Sequence, residues 1–174
     1  MTKMNNNSVS NAIDKAMDAM GRAVSWLTVL LVVVTGLVVL LRYVFQTGSI
    51  ALQEAIVYIN ALIFAIGAAY TLKEQGHVRV DIFYNRLGGK GRAIVDLSGV
   101  CVFLLPCTLF ILWQSWDYVS ISWQIRERSI ELSGLPFVYL LKTAILVLGI
   151  LLIVQGISEL LKSLALLRQH WLDD

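Results

Sequence analysis

Four long apolar stretches constrain this chain more than any other feature of its sequence. Three are uncharged and run from about 23 to 41, 55 to 72 and 97 to 116, and the fourth runs from about 135 to 158 with Lys142 as its one charge. A helix needs about 20 apolar residues to cross a hydrocarbon core of roughly 30 Å. Backbone amides in lipid must be bonded within their own segment. We therefore expect an all-α integral membrane protein with four transmembrane helices in a bundle.

The composition agrees with a membrane protein built as one domain. Of the 174 residues, 57% are apolar and 15% are charged, which is more apolar than soluble domains usually are. The net charge of +2 is too small to predict a nucleic-acid partner, and we expect none. Because no internal repeat or low-complexity tract is visible, residues 1–174 are treated as a single membrane domain that contacts the lipid bilayer.

The basic residues are distributed unevenly between the two sides of the predicted bundle. One side has three, between the first two or the last two stretches: Arg42, Arg126 and Arg128. The other side has ten, in the N-terminal segment, the loop 73–96 and the tail: Lys3, Lys15, Arg22, Lys73, Arg79, Arg86, Lys90, Arg92, Lys162 and Arg168. Loops rich in Lys and Arg stay in the cytoplasm, so both termini are predicted to be cytoplasmic.

The first 22 residues divide into a polar tail and an amphipathic segment. Residues 1–8 are rich in Asn and are predicted to be disordered. Residues 9–22 place apolar side chains such as Ile13 and Met17 at helical spacing, with charged residues mostly on other faces. This segment either lies as an amphipathic helix in the cytoplasmic interface or extends the first transmembrane helix. The sequence favours neither interpretation.

Two charged residues lie at the edges of the apolar stretches. Glu54 begins the second stretch on the periplasmic side, where it could bind a proton, a cation or a partner's arginine, but a solvated helix N-terminus is the favoured interpretation. Lys142 lies about two turns into the fourth stretch. Its default interpretation is snorkelling to the periplasmic interface, and the alternative is burial against a second membrane protein.

Two uncharged polar residues lie inside the stretches. Asn60 is in the second stretch and Gln155 is in the fourth. Each is predicted to form a hydrogen bond between helices, with a contribution of about 0.6 kcal/mol.

The sequence His77-Val78-Arg79-Val80-Asp81 stands out in the loop 73–96. Its histidine and carboxylate could in principle ligate a metal or relay a proton, but one His and one Asp fall short of a metal set. An ion pair between Arg79 and Asp81, or a helix cap, is therefore the favoured interpretation. The flanking apolar residues predict a short amphipathic element that Gly88 and Gly89 end.

Neither a cofactor site nor an enzyme site is predicted. No histidine lies within any apolar stretch, which argues against a haem anchor, and the chain has no P-loop, H-E-x-x-H or G-x-S-x-G motif. We expect no catalytic residues, no bound metal and no cofactor.

The stretch from Gly67 to Tyr84, which contains the His77–Asp81 sequence, resembles a known family of transporter subunits. It is similar to the small permease subunit, the Q-type subunit, of tripartite ATP-independent periplasmic (TRAP) transporters. Shorter matches support the resemblance, which covers about residues 22 to 165: Arg42-Tyr43, Gln53-Glu54, Asp96-Leu97-Ser98-Gly99, Gly134-Leu135-Pro136 and Leu140-Leu141-Lys142.

The resemblance implies a role in a larger system. In that family a periplasmic binding protein delivers an organic acid to a two-part permease in the bacterial inner membrane, driven by an ion gradient, commonly sodium. The small subunit braces the large one. In the family the binding protein and the large subunit set the substrate. The residues for which the resemblance implies partner contact or a structural role are Arg42, Glu54, His77, Arg79, Asp81 and Lys142.

Two other functions stay open at this point. A small four-helix exporter coupled to protons would use Glu54 as its carrier site. A membrane anchor of some other complex would share the fold. Neither accounts for the His77–Asp81 sequence.

Overall fold

Four helices make up nearly all of the described chain. The computed structural model describes residues 8–74 and 88–173, and within these ranges it contains helices and connecting turns but no strand. The helices are α1 (Ser8–Tyr43), α2 (Ile50–Lys73), α3 (Gly89–Gln124) and α4 (Val138–Asp173). Each is long and apolar enough to cross a membrane, which confirms the predicted all-α fold with four transmembrane helices.

Helix α1 is much longer than the apolar stretch from 23 to 41. It begins at Ser8 and continues without a break through Gly21, so the amphipathic segment 9–22 is helical and continuous with the first transmembrane helix. The face that packs inward includes Ser10 and Met17, which are both buried, whereas Val9 is exposed. Residues 9–22 therefore do not form a separate helix in the membrane interface.

Helix α3 contains a change of helical geometry. An α-helical segment, Gly89–Ser98, leads into a π-helical stretch, Gly99–Leu104, and then into a second α-helical segment, Leu105–Gln124. Pro106 lies two residues after the end of the π-helical stretch, and proline has no N–H to donate to a preceding carbonyl. The Thr108 hydroxyl donates to the carbonyls of Leu104 (2.7 Å) and Leu105 (3.1 Å) beside this irregularity.

The start of α3 differs from the sequence-based expectation. Residues 89–96 were assigned to a loop because they are charged, yet they are helical and Gly88 is the N-cap. The physical reason is that this segment packs against α4 and buries Ala93, so one face of a polar sequence gains tertiary contact. The predicted amphipathic element before Gly88 lies outside the described residues.

Helix α4 is the central element of the bundle. It contacts α1, α2 and α3, and α1 also packs against α2. Within the described residues, α3 makes at most marginal contact with α1 and α2, so the arrangement is open and has no closed core. The buried positions along the contacts are mostly small, which lets helices approach closely in lipid. They include Ala65, Ala69, Ala93, Ala144 and Ala165.

Two glycines of α4 lie against α3. A Cβ atom added at Gly149 would lie 2.6 Å from Cδ2 of Leu112, and one added at Gly156 would lie 2.6 Å from Cδ2 of Leu104. These distances are shorter than real Cβ contacts, so a larger residue at either position would force the facing leucine of α3 to shift. The seven-residue spacing puts both glycines on the same face of α4.

Gly149→Leu should destabilise the fold, whereas Gly36→Leu should not. An added side chain at 149 would push into Leu112, and overpacking of this kind costs about 1 to 3 kcal/mol. A Cβ at Gly36 of α1 would have no atom within 4 Å, so Gly36→Leu is the matched control. The free energy of unfolding in detergent micelles measures both, and an equal loss in the two variants would contradict the α3–α4 packing.

Candidate functional site

The charged side chains within the bundle are concentrated at its two ends. We call the end where the α1–α2 and α3–α4 connections lie the loop end, and the end where α1 begins and α4 finishes the terminal end. Glu54, Glu127 and Lys142 belong to the loop end. Asp14, Asp18, Lys73, Glu159 and Lys162 belong to the terminal end.

Glu54 ties α2 to the connection between α3 and α4. Helix α2 begins at Ile50, with Ser49 as the N-cap whose hydroxyl accepts from the amide of Leu52, so Glu54 lies in the second turn. Its Oε2 accepts from the backbone N–H of Leu135 at 2.6 Å, and its Oε1 accepts from the hydroxyl of Ser129. The interpretation of Glu54 as a solvated helix N-terminus is therefore wrong, because its carboxylate is occupied by the loop.

Gly134 is part of the same contact. A Cβ atom at this position would lie 2.7 Å from Oε1 of Glu54 and 2.5 Å from Cβ of Ser129. Only glycine therefore fits between the carboxylate and the hydroxyl that donates to it. The Gly134-Leu135 pair supplies both the space and the amide that the carboxylate needs.

Lys142 has a partner within its own chain. Its ammonium binds the carboxylate of Glu127 and lies 3.9 Å from the ring centroid of Tyr118, and its side chain is only 14% exposed. The ammonium holds the pKa of the Glu127 carboxyl below its usual range. Neither sequence-based interpretation of Lys142 included this partner, which lies in the connection that precedes α4.

The C-terminus of α3 positions Glu127. The amide of Arg126 donates to the carbonyl of Trp123, and the amide of Glu127 donates to the carbonyl of Ser122. Arg126 has a φ of 47°, so the chain leaves the helix through a left-handed residue, which is the Schellman arrangement. This local turn carries Glu127 back towards Lys142.

An aromatic contact closes the loop end between α3 and α4. The indole N–H of Trp123 donates to the hydroxyl of Thr143 at 2.9 Å. The Trp123 ring also meets the Tyr139 ring edge-on, with centroids 4.7 Å apart. Such pairs prefer edge-to-face geometry, and the polar edge of the indole finds a partner.

The terminal end holds an ionic network between the first and last helices. Lys162 of α4 binds Asp14 of α1 at 2.9 Å and Glu159 of its own helix at 2.7 Å. Gln155 is fully buried, and its amide nitrogen donates to Asp14 (3.3 Å) and Glu159 (3.1 Å). The prediction that Gln155 forms a hydrogen bond between helices is confirmed.

Hydroxyl groups and a second ion pair extend this network. The Ser158 hydroxyl bonds to Asp14 at 3.2 Å and to the hydroxyl of Ser10 at 2.8 Å. Asp18, one turn after Asp14, binds Lys73 at the end of α2. The network therefore connects α1 to both α2 and α4 through groups that would be costly to bury without partners.

Sequence reasoning missed this network except for Gln155. One signal for it is present: Ser10, Asp14 and Asp18 recur every four residues, which places them on one face of a helix. Gln155, Glu159 and Lys162 show a similar spacing in α4. The pattern marks two polar faces but does not say that they pair with each other.

The remaining sequence-predicted residues lie elsewhere. Arg42 is exposed in the last turn of α1. Asn60 is exposed on α2, so the prediction that it bonds between helices of this chain is wrong. His77, Arg79 and Asp81 lie outside the described residues. The structure therefore gives Glu54 and Lys142 structural partners at the loop end.

The chemistry of both clusters is that of ion pairing and hydrogen bonding between helices. Among residues 8–74 and 88–173, no group of three or more His, Cys, Asp and Glu side chains is arranged to hold a metal ion. The carboxylates of Glu54 and Glu127 each meet a donor from another part of the chain, so the clusters hold helices and connections in fixed positions.

Glu54→Gln should loosen the connection between α3 and α4. The amide would keep one acceptor but lose the charge, and a hydrogen bond to a charged group contributes about 1.5 to 3 kcal/mol. Faster hydrogen exchange of the Leu135 amide and a lower free energy of unfolding would measure the change. Glu131→Gln is the control, because Glu131 is exposed in the same connection. Unchanged exchange in Glu54→Gln would contradict the proposed tie.

Comparison with known proteins places these features in a family. The family model for the DctQ component of tripartite ATP-independent periplasmic transporters matches residues 31–166. A curated protein of Haemophilus influenzae, named "Putative TRAP transporter small permease protein", is 29% identical over 130 residues, which cover 74% of this chain and 76% of that protein. No solved structure gives a significant match. The matched range includes Glu54, Lys142 and the connection that joins them. The chain therefore belongs to the DctQ component family of tripartite ATP-independent periplasmic transporters.

Proposed function

We propose that this protein is the small scaffold subunit of a TRAP transporter. It braces a large permease subunit, and a periplasmic binding protein delivers an organic acid to the assembled permease. Uptake is driven by an ion gradient. The protein lies in the bacterial inner membrane, with both termini in the cytoplasm. It carries out no chemical reaction of its own.

The occupation of Glu54 is the observation that best supports a bracing role. Both oxygens of its carboxylate accept hydrogen bonds from the connection between α3 and α4. A carrier carboxylate has to be open to the ion or substrate that it binds, whereas both oxygens of Glu54 are already engaged by groups of the same chain. Its fixed position favours the scaffold over the proton-coupled exporter, which would use Glu54 as its carrier site.

The cavity between α2 and α4 also favours a bracing role. It has a volume of about 320 Å³, and its lining is apolar apart from hydroxyl groups such as those of Tyr58 and Thr143. An organic acid needs a cation or several convergent donors to replace the water around its carboxylate. This cavity does not offer them, so substrate binding is better assigned to the partners.

The proposed orientation depends on the basic residues. Ten of them fall on the side that carries both termini and three on the other, and loops rich in Lys and Arg remain in the cytoplasm. In this orientation the loop end faces the periplasm, where Glu54 and Lys142 would brace the surface that the binding protein approaches.

Thiol labelling of intact cells tests the orientation. Cys101 and Cys107 are exposed on α3 and must first be replaced. Leu132→Cys, at a fully exposed position of the α3–α4 connection, should react with a membrane-impermeant reagent. Gly88→Cys should react only after the cells are opened; its backbone is extended and a Cβ there meets no other atom, so the variant should fold. The reverse pattern would overturn the orientation.

Reconstitution in liposomes tests the function. Purified protein alone should give no sodium-driven or proton-driven uptake of organic acids, and uptake should appear when the large permease and a loaded binding protein are added. A carrier needs a substrate site near the midplane, usually on broken helices, and the scaffold proposal assigns this site to the large subunit. If this chain alone gave uptake, and Glu54→Gln abolished that uptake, the result would contradict the scaffold function and support the proton-coupled exporter.

A further inference from the structure

One face of α2 carries amide side chains outward at the depth of the membrane. Positions separated by alternating steps of four and three residues lie on the same face of a helix. On α2 these positions form a row that we call the α2 stripe: Gln53, Val57, Asn60, Phe64 and Gly67. The opposite side of the helix includes the buried Ala65 and Ala69, so the stripe faces away from the rest of the chain.

Four members of the α2 stripe are exposed. Gln53 and Asn60 are exposed, and Val57 and Phe64 are 52% and 66% exposed. Gly67 is half-buried, but a Cβ atom added there would meet no atom within 4 Å. Most of the stripe is therefore left uncovered by the described residues.

Asn60 lies near the middle of the hydrocarbon core. It is ten residues from Ile50 and thirteen from Lys73, or roughly 15 Å and 20 Å along the helix axis. Its side chain forms no hydrogen bond to another residue of the described ranges, and lipid tails offer neither donors nor acceptors. Exposed hydroxyls on α1 differ in this respect: Thr28 and Thr35 bond to carbonyls of their own helix. Exposure of the α1 hydroxyls to lipid therefore costs less free energy than exposure of the Asn60 amide.

We propose that the α2 stripe is the surface on which a transmembrane helix of the large permease subunit docks. This inference rests on the proposed function, because it takes its partner from the assembly of the transporter. A helix that presents a polar group would satisfy Asn60, and Gly67 leaves space for a side chain beside Phe64. Small residues and interhelical hydrogen bonds are the features that drive helix association in lipid.

The occupant of the α2 stripe has to offer a hydrogen-bond partner to the amide of Asn60. A lipid molecule can cover Val57 and Phe64 but cannot satisfy the amide of Asn60. A second copy of this chain would pair the stripe with itself and leave the large subunit to bind elsewhere. The family of this chain is one component of a tripartite system, which favours a different subunit as the occupant.

Photo-crosslinking in cells that also express the large permease tests the proposal. A photoreactive p-benzoylphenylalanine at position 60 should give an adduct between the chain and the large permease. Val33 of α1 is the matched control, because it is 61% exposed and lies ten residues before Tyr43, at a similar depth. No permease adduct is expected there. An adduct of two copies of this chain, or none at position 60, would overturn the proposal.

Gly67→Leu provides a second measurement. A Cβ atom at this position meets no atom within 4 Å, so we expect folding to be kept, but the leucine would occupy the space for the partner's side chain. We expect the amount of permease that copurifies to fall at least about fivefold, as overpacking of an interface predicts. Gly36→Leu, equally open but on α1, should leave it unchanged. Equal recovery in both variants would contradict docking on the stripe.

Copurification and crosslinking together distinguish failure of the scaffold function from failure of the α2 docking surface. If the unaltered chain does not copurify with the permease, the scaffold function fails and the docking surface fails with it. If the unaltered chain copurifies but position 60 gives no permease adduct, the scaffold function stands and only the α2 surface is wrong.

Discussion

The lack of hydrogen-bond partners in the hydrocarbon core governs the arrangement of this protein. Helical backbone bonds satisfy the main chain, but polar side chains must find partners in the protein or reach water at the membrane surface. Glu54 and Lys142 at one end and Asp14 and Lys162 at the other obey this requirement through contacts within the chain. Between the two ends, the helices meet mainly through alanine and glycine. The structure is thus a set of closely packed apolar helices with polar ties at both ends.

The central position of α4 has a consequence for the surface. Because α4 contacts every other helix while α3 stays apart from α1 and α2, each outer helix turns much of its circumference outward. For most of that surface, lipid is an adequate cover, since exposed side chains such as Val29 and Phe110 are apolar. A subunit built this way has little interior to hold a substrate but a large area for contact with another membrane protein, as a scaffold needs.

The sequence predicts the number and type of helices but not the ion pairs and hydrogen bonds that connect them. Four apolar stretches determine four helices because lipid allows few alternatives. The sequence leaves the start of α1 open between two interpretations and does not predict the start of α3, because charged residues beyond the stretches remain helical where one face packs on a neighbour. The sequence singles out Glu54 and Lys142, but the partners that the structure gives them lie in a connection whose conformation depends on a left-handed residue, Arg126. The pairing of Asp14 with Lys162 joins residues 148 positions apart, which no local pattern specifies.

That separation in sequence also bears on how the chain is made. A polypeptide is synthesised from its N-terminus, so α1 reaches the membrane with Asp14 and Asp18 before α4 has left the ribosome. Asp18 can pair once α2 and Lys73 have emerged, but Asp14 must wait until Lys162 of α4 has been synthesised. Helix α4 therefore completes the contacts of α1. A chain that stalls before α4 therefore leaves the Asp14 carboxylate without its Lys162 partner, and the contact between α1 and α4 cannot form.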